Sequence, residues 1–218
     1  MINRQQPLSV MENTEYNDLP TLDAADAAFT NRDEVLKKLA QLLTSLPEEY
    51  KGLYAISLVH HHYDLNPGEI MVTNDRITAP ELIASMHDSA NVVPERWTAA
   101  GMPFEYVRLK EGEVGVPPPP DFLLEAFQKI VGSLPLGLMA APDVPPGKIV
   151  KDSTLDPEKR SQVLEVVDED VYGAESTSEF SPCRMITAAW NARGEGEVVF
   201  VVACGGCRWP VGGKPTCW

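Results

Sequence analysis

The chain has 218 residues, of which 44% are hydrophobic, and a formal net charge of −14. An acidic surface repels nucleic-acid phosphates and anionic membranes, which excludes nucleic acid and membrane as expected partners. No apolar run reaches the ~18 residues that a spanning helix needs, and residues 1–19 lack the charged start and apolar centre of a signal peptide. We therefore expect an intracellular, cytoplasmic protein.

The apolar pattern predicts one globular domain over residues 30–218, of the α+β or three-layer α/β class, with one mixed β-sheet flanked by helices. Residues 1–29 carry isolated hydrophobic side chains without a sustained period, which predicts an N-terminal arm that is partly disordered or lies on the surface. Residues 111–120 read EGEVGVPPPP. Consecutive prolines favour an extended loop, here one that spaces two elements of the fold.

Helices are expected where a capping residue precedes an apolar stripe of helical period. The clearest is the leucine-rich stripe of residues 35–46, which Asn31 can cap and Pro47 ends. Four more helices are predicted, from Thr78 to about Asp88, from Asp121 to near Pro135, from Asp156 through Val167, and from Ser181 to near Gly194. Strands are predicted at 53–62, 69–73, 104–109, 136–141 and 197–203.

The stretch of residues 53–65, LYAISLVHHHYDL, is an apolar strand that ends in three of the four histidines of the chain. Side chains alternate along a strand, so His60 and His62 point to one face and His61 to the other. Two imidazoles on one face can share a metal ion or a substrate. We therefore expect His60 and His62 to be metal ligands or to act as acid and base in catalysis.

A third group for this site is expected from the segments that follow. The turn residues 66–68 predict a hairpin whose second strand returns Glu69 towards His62 or Asp64. His87 lies at the edge of the buried face of the next predicted helix. Glu69 is thus the expected third catalytic residue and His87 the third metal ligand, with zinc or iron as the divalent metal. The alternative is a half-exposed histidine cluster that only bonds its neighbours.

The second candidate site is the C-x-x-C pair Cys204 and Cys207, which follows the β-branched run of residues 197–203. Two thiolates at this spacing can bind one zinc ion, and Cys183 and Cys217 would have to be brought in by the fold to close the site. The same pair can serve thiol redox chemistry when one thiol is activated. Inert free thiols are the third interpretation.

These patterns leave three hypotheses of function. The first is an enzyme that acts on a small molecule through the histidine cluster, with the aromatic and charged segment 94–109 as a pocket wall. The second is a non-catalytic module that holds a protein partner or a second copy of the chain. The third is a zinc-stabilised or thiol-redox protein centred on the cysteines. Convergence of the histidines in a pocket would favour the first over the second.

Overall fold

A computed structural model describes residues 10–86, 91–170, 185–193, 197–205, 207–208 and 216–217 of the chain. Beyond residue 192 it describes the backbone, together with the burial of Val199 and Val202. The helices within these ranges are α1 (Asn13–Asn17), α2 (Leu22–Ala28), α3 (Arg32–Thr44) and α4 (Asp121–Val131), with a single 3-10 turn at Ile83–Ser85. None of these helices is long and apolar enough to cross a membrane.

β-Strands are the main secondary structure of the described chain. The strands are β1 (Tyr54–Leu58), β2 (Glu69–Asn74), β3 (Ile77–Leu82), β4 (Val92–Thr98), β5 (Pro103–Arg108), β6 (Leu136–Ala140), β7 (Lys148–Asp156), β8 (Ser161–Asp168), β9 (Met185–Arg193), β10 (Glu197–Gly205), β11 (Cys207–Arg208) and β12 (Thr216–Cys217). The last two pair only with each other, and the other ten form one sheet.

The ten-stranded sheet closes on itself into a barrel. Its spatial order is β1-β6-β4-β5-β2-β3-β8-β7-β10-β9, and β1 pairs with both β6 and β9. The pairs β2–β5 and β7–β10 are parallel, whereas the others are antiparallel. The predicted mixed sheet is therefore confirmed, and its closure removes the exposed edges that an open sheet would leave.

The two faces of the barrel wall differ sharply in chemistry. Ile56, Trp97 and Trp190 project outward, where they share one apolar core with the inner sides of α2, α3 and α4. Adjacent residues on a strand point the other way. The inward positions include charged and polar residues on several strands, Arg96 and Glu105 among them, and these are 5% and 3% exposed. The barrel thus buries a group of polar and charged side chains on the face opposite the apolar core that it shares with the helices.

The N-terminal segment and the proline-rich loop are both anchored to the barrel. Tyr16 of α1 is 1% exposed and Phe29, which follows α2, is 4% exposed, so residues predicted to form an arm bury aromatic rings. The hydroxyl of Tyr54 donates to the backbone carbonyls of Pro117 and Pro118 at 3.0 and 3.3 Å. These contacts fix the course of residues 111–120 as they cross from β5 to α4.

The prediction of a helix from Thr78 to about Asp88 is wrong over the described part of that range. Asp75 adopts the left-handed conformation, with φ 58°, in a tight turn between β2 and β3. The hydroxyl of Thr78 then lies 3.0 Å from that of Thr73 across the hairpin instead of capping a helix. Long-range strand pairing therefore overrides the local capping pattern.

The prediction of a helix from Asp156 through Val167 is also wrong, although Asp156 does act as the expected capping residue. The Asp156 carboxylate accepts from the backbone amides of Glu158 and Lys159, as an N-cap would. The turn ends at Arg160, which has φ 52°, and the chain then continues as the antiparallel strand β8. Its β-branched residues, Val163, Val166 and Val167, suit a strand.

The helix predicted from Ser181 to near Gly194 is replaced by a strand wherever the structure describes it. β9 covers Met185–Arg193 and lies between β1 and β10, with Trp190 in register with Ile56 and Phe200. Both neighbours offer free backbone groups, so the segment satisfies its own amides and carbonyls in the sheet. Residues 181–184 lie outside the described ranges.

Candidate functional site

Polar side chains from six strands of the barrel face its interior. These are Thr73 of β2, Thr78 of β3, Arg96 of β4, Glu105 of β5, Asp152 of β7 and Gln162 of β8, and each is at most 8% exposed. Buried polar and charged groups cost free energy unless other groups compensate them. A barrel that needed only to be stable would carry apolar residues here, so this cluster marks a candidate site.

A β-bulge in β4 places two consecutive charged residues inside the barrel. The pairing of β4 with β5 shifts between Pro94 and Arg96, which pair with Tyr106 and Glu105, so Glu95 is the extra residue. A bulge interrupts the strict alternation of side chains. Glu95 accordingly hydrogen-bonds to the interior residue Thr73, while Arg96 reaches Glu105.

His60 and His62 converge at this interior cluster. Their ring centroids lie 4.7 Å apart with an interplanar angle of 61°. His60 is 1% exposed and the side chain of His62 is 3% exposed. Both residues are therefore buried, and the interpretation of a half-exposed histidine cluster does not apply to them. His61 is only partly buried, and its Nδ1 lies 2.6 Å from the carbonyl oxygen of Leu19.

The hydrogen bond of His60 fixes its tautomer. Its Nδ1 lies 3.1 Å from the carbonyl oxygen of Leu58, and a carbonyl can only accept, so the proton sits on Nδ1. The Nε2 atom is buried without a hydrogen-bond partner in the described part of the chain. Burial, with smaller contributions from His62 and Arg96, holds the pKa of His60 well below its usual range. His60 is thus a neutral imidazole with an unused basic nitrogen.

His62 has the opposite electrostatic environment. Its Nε2 lies 3.2 Å from Glu105 Oε1 and 4.0 Å from Asp152 Oδ2. Burial by itself lowers the pKa of His62, but the charge and hydrogen bond of Glu105 outweigh it and raise the pKa above the usual value. His62 Nε2–H therefore donates to a carboxylate, and the ring favours the imidazolium form.

Glu105 holds the charges of the cluster together. Its Oε2 lies 3.0 Å from Arg96 Nε, and its Oε1 faces His62. Burial raises the pKa of Glu105, but Arg96 and then His62 dominate and lower it to about 2. A permanently ionised carboxylate at this position can stabilise a positive charge on His62 over a wide pH range.

Glu95 is the second interior carboxyl group, and its environment differs from that of Glu105. Burial, opposed by Arg96 and assisted by the charges of Glu105 and Asp152, raises the pKa of Glu95 to about 7. Glu95 can therefore change its protonation state near neutral pH.

The structure does not bring Glu69 to the histidines, because β1 and β2 are not hairpin partners. β2 pairs with β3 and β5, and both edges of β1 are occupied by β6 and β9. The carboxylate of Glu69 instead accepts two hydrogen bonds from Arg160, each 2.7 Å long. This pairing and Asn66 lower the pKa of Glu69 to about 2. The carboxylate beside His62 is Glu105.

The remaining predicted ligands are described only in part. His87 and Cys183 lie outside the described residues, so the expectation of a third histidine ligand stays a prediction. The backbone of Cys204 pairs with Asp152, and that of Cys207 pairs with Cys217, while their side chains are not described. Among the described residues, no group of three His, Cys, Asp or Glu side chains has the geometry to hold a metal ion.

Sequence reasoning named the two histidines but missed their partners. The sequence pattern placed Arg96 and Glu105 in the aromatic and charged segment 94–109, which was proposed as a pocket wall. It gave neither residue a role of its own. No sequence pattern indicated that Asp152 belongs to the site. The alternation of β5 could have shown that Glu105 faces the opposite side from Tyr106, but only a barrel makes that side an interior.

Comparison of the chain with protein-family models, with curated proteins and with solved structures finds no match. The site must therefore be interpreted from its own chemistry.

Proposed function

We propose that the protein is an enzyme that moves protons on a small molecule bound inside the barrel, with His60 as general base and His62 as general acid. The observation that carries this proposal is the meeting of two buried imidazoles whose fixed partners favour opposite protonation states. Environments that push the pKa values of neighbouring groups apart are a recurrent feature of acid–base catalysis.

The base is assigned to His60 because its Nε2 lone pair is free. Removing a proton from a substrate atom would place that proton on Nε2 and turn His60 into an imidazolium. The Leu58 carbonyl, which accepts from Nδ1, holds the ring in the required tautomer throughout. Burial disfavours the charged product, so the proton is readily returned.

The acid is assigned to His62 because Glu105 supports its charge. Its Nε2–H is engaged by Glu105, which leaves Nδ1–H as the proton to donate. Donation to a second substrate atom would leave a neutral ring, and the product or solvent would restore the proton. Removal of a proton at one atom with donation at another describes an isomerisation or an elimination of water.

Arg96 and Asp152 complete the electrostatic environment of the pair. Arg96 is a positioning residue that holds Glu105, and Asp152 lies 4.0 Å from His62 Nε2. While Glu95 is protonated, the formal charges of Arg96 and protonated His62 balance those of Glu105 and Asp152. A site with balanced charge has no strong preference for an ionic substrate, which favours an uncharged molecule.

The convergence and burial of the histidines support this enzyme hypothesis over a surface module for protein partners. A zinc or iron ion bound by both histidines would have to coordinate Nε2 of His60. At His62 it would have to displace Glu105 from Nε2 or else coordinate Nδ1. The acid–base roles are therefore the simpler use of the observed hydrogen bonds. A zinc or redox function at Cys204 and Cys207 is a separate hypothesis that metal analysis of a double serine variant tests.

The test is solvent-proton exchange. We would incubate the protein in heavy water with a panel of small hydroxyketones and hydroxyaldehydes and follow deuterium incorporation by NMR. We expect exchange with the wild type and its loss in His60→Gln and His62→Gln, which keep a neutral polar side chain. His61→Gln is the matched control, because its ring bonds Leu19 outside the pair.

Two outcomes would overturn the proposal. One is exchange that persists in both the His60 and His62 variants. The other is the absence of exchange with every compound while NMR shows the two rings in the assigned protonation states, since the cluster would then be structural.

A further inference from the structure

A second polar group lies in the barrel interior, across four strands. Thr73 and Thr78 are register partners, and their hydroxyl oxygens lie 3.0 Å apart. Thr78 is in turn the register partner of Gln162 on β8. At the other end of the row, Thr73 hydrogen-bonds to the bulge residue Glu95. We call these four residues the Thr–Gln row.

The Thr–Gln row is adjacent to the acid–base pair. Glu95 interacts electrostatically with Arg96, Glu105 and Asp152, the three charged residues around His62. Glu95 and Arg96 are also consecutive on β4, and the bulge turns both inward. A molecule with one part at the histidines can therefore extend another part along the row.

One observation indicates that the row is built to receive a ligand. Gln162 is 8% exposed, yet its Oε1 atom has no hydrogen-bond partner in the described part of the chain. A buried acceptor without a donor costs free energy that a fold normally avoids.

We propose that Glu95, Thr73, Thr78 and Gln162 bind a hydroxyl group of the substrate, and that the substrate is a small uncharged hydroxylated molecule. This inference rests on the proposed acid–base function and specifies its substrate class. A hydroxyl group both donates and accepts, so it can give its proton to Gln162 Oε1 and accept from the neighbouring hydroxyl of Thr78.

Other polar groups fit the row less well. A carboxylate or phosphate cannot donate to Gln162 Oε1 and would meet the negative charge of Glu105 and the ionised form of Glu95. A ketone or sulfoxide only accepts, and it would leave the Gln162 acceptor without a partner. The choice of a hydroxyl therefore follows from the need for a donor at one end of the row.

The first experiment uses glycerol and dimethyl sulfoxide as probes, because the first donates and accepts while the second only accepts. Amide chemical shifts of the protein would be followed by NMR during titration of each probe. We expect saturable shifts at Thr73, Thr78 and Gln162 with glycerol and none with dimethyl sulfoxide. Equal responses to both probes, or no saturable response to glycerol, would overturn the inference.

The second experiment repeats the glycerol titration with Gln162→Met and with the matched surface variant Gln41→Met, since Gln41 is exposed on α3. Loss of one hydrogen bond to a neutral group predicts a dissociation constant roughly two- to tenfold weaker for Gln162→Met. Gln41→Met is expected to bind as the wild type does. Equal affinity of the two variants would contradict a role for Gln162. The probe comparison on the wild type remains decisive if Gln162→Met does not fold.

These titrations distinguish a failure of the hydroxyl-binding proposal from a failure of the acid–base proposal. Glycerol binding in His60→Gln, at the affinity of the wild type, supports the Thr–Gln row whether or not the protein exchanges protons. Proton exchange on a ketone substrate without glycerol binding would sustain the acid–base function and overturn the hydroxyl subsite.

Discussion

The imidazole rings of His60 and His62 meet at a centroid distance of 4.7 Å, although the protein encloses both. Two positive charges this close in a poorly screened interior would repel strongly, so only one ring is expected to be charged. The fixed partners decide which one. The carbonyl of Leu58 bonds His60 in its neutral form, whereas the carboxylate of Glu105 favours the imidazolium form of His62.

Glu105→Gln should lower the pKa of His62, because the charge that supports the imidazolium is removed while the shape is kept. It should also destabilise the fold by about 3–5 kcal/mol, since Arg96 loses its buried counter-charge. NMR titration of the His62 ring and urea unfolding would measure the two effects. Glu125→Gln, at an exposed glutamate on α4, is the control. An unchanged pKa of His62 would refute the assigned pairing.

Glu69→Gln should reduce stability without affecting the histidines. The bidentate pair with Arg160 ties the start of β2 to the turn before β8, and charged hydrogen bonds of this kind contribute roughly 1.5–3 kcal/mol. The pKa of Glu69 is lowered from 4.5 to about 2. Its stabilisation is therefore present above pH 4.5 and disappears as the pH falls towards 2.

Denaturant unfolding of wild type and Glu69→Gln between neutral and acidic pH would show this loss as curves that converge on acidification. NMR titration of His62 in the same variant provides the second readout. A shift of the His62 pKa as large as that in Glu105→Gln would restore Glu69 as the catalytic partner.

Glu95→Gln should change how stability depends on pH. Burial raises the pKa of Glu95 from 4.5 to about 7, so the folded state binds more protons than the unfolded state between these values. This contribution to stability is complete below pH 4.5 and is lost as the pH rises through 7. The groups that face Glu95 are Arg96, Glu105, Asp152 and Thr73.

The variant should therefore gain stability relative to the wild type as the pH rises from 4.5 to 7. Urea unfolding at several pH values would measure the difference, with Glu125→Gln again as the exposed control. A difference between Glu95→Gln and wild type that does not vary with pH would contradict the assigned burial of this carboxyl group.

Tyr16→Ala tests whether the N-terminal segment belongs to the fold. The ring of Tyr16 is 1% exposed and packs with Val59, Met71 and Phe104. Truncation of a fully buried aromatic side chain costs about 3–5 kcal/mol. Phe122→Ala, at a ring that is 49% exposed on α4, should cost much less. Equal unfolding midpoints for the two variants would support a loosely attached arm.

Local patterns were sufficient for elements whose structure is decided within the segment. The leucine stripe gives the thirteen-residue helix α3 as expected, because its amphipathic face lies within one segment, although the Asn31 side chain does not cap it. The apolar run at Leu136–Ala140 forms a strand for the same reason. The predictions of helices after Thr78, Asp156 and Ser181 failed, because capping signals are satisfied equally well by turns.

In the candidate site, too, features of a single segment were predicted and contacts between distant strands were not. Strand alternation predicted that His60 and His62 share one face of a strand at 53–62, but β1 ends at Leu58, and the structure brings their rings together in the segment that follows it. Glu105 could not be assigned to His62, because the two residues meet only when the strands of the barrel close around them. The inward position of Glu95 beside Arg96 depends on a bulge that no local pattern announces.

The sequence by itself determined the acidic charge and the amphipathic helices α3 and α4, since each follows from composition or from spacing along one element. Only the tertiary structure decided that the sheet closes, that Glu105 and not Glu69 supports His62, and that a polar row runs from Glu95 to Gln162. These relationships join strands far apart in the chain, and the free energy that selects them comes from pairing and burial across the whole barrel.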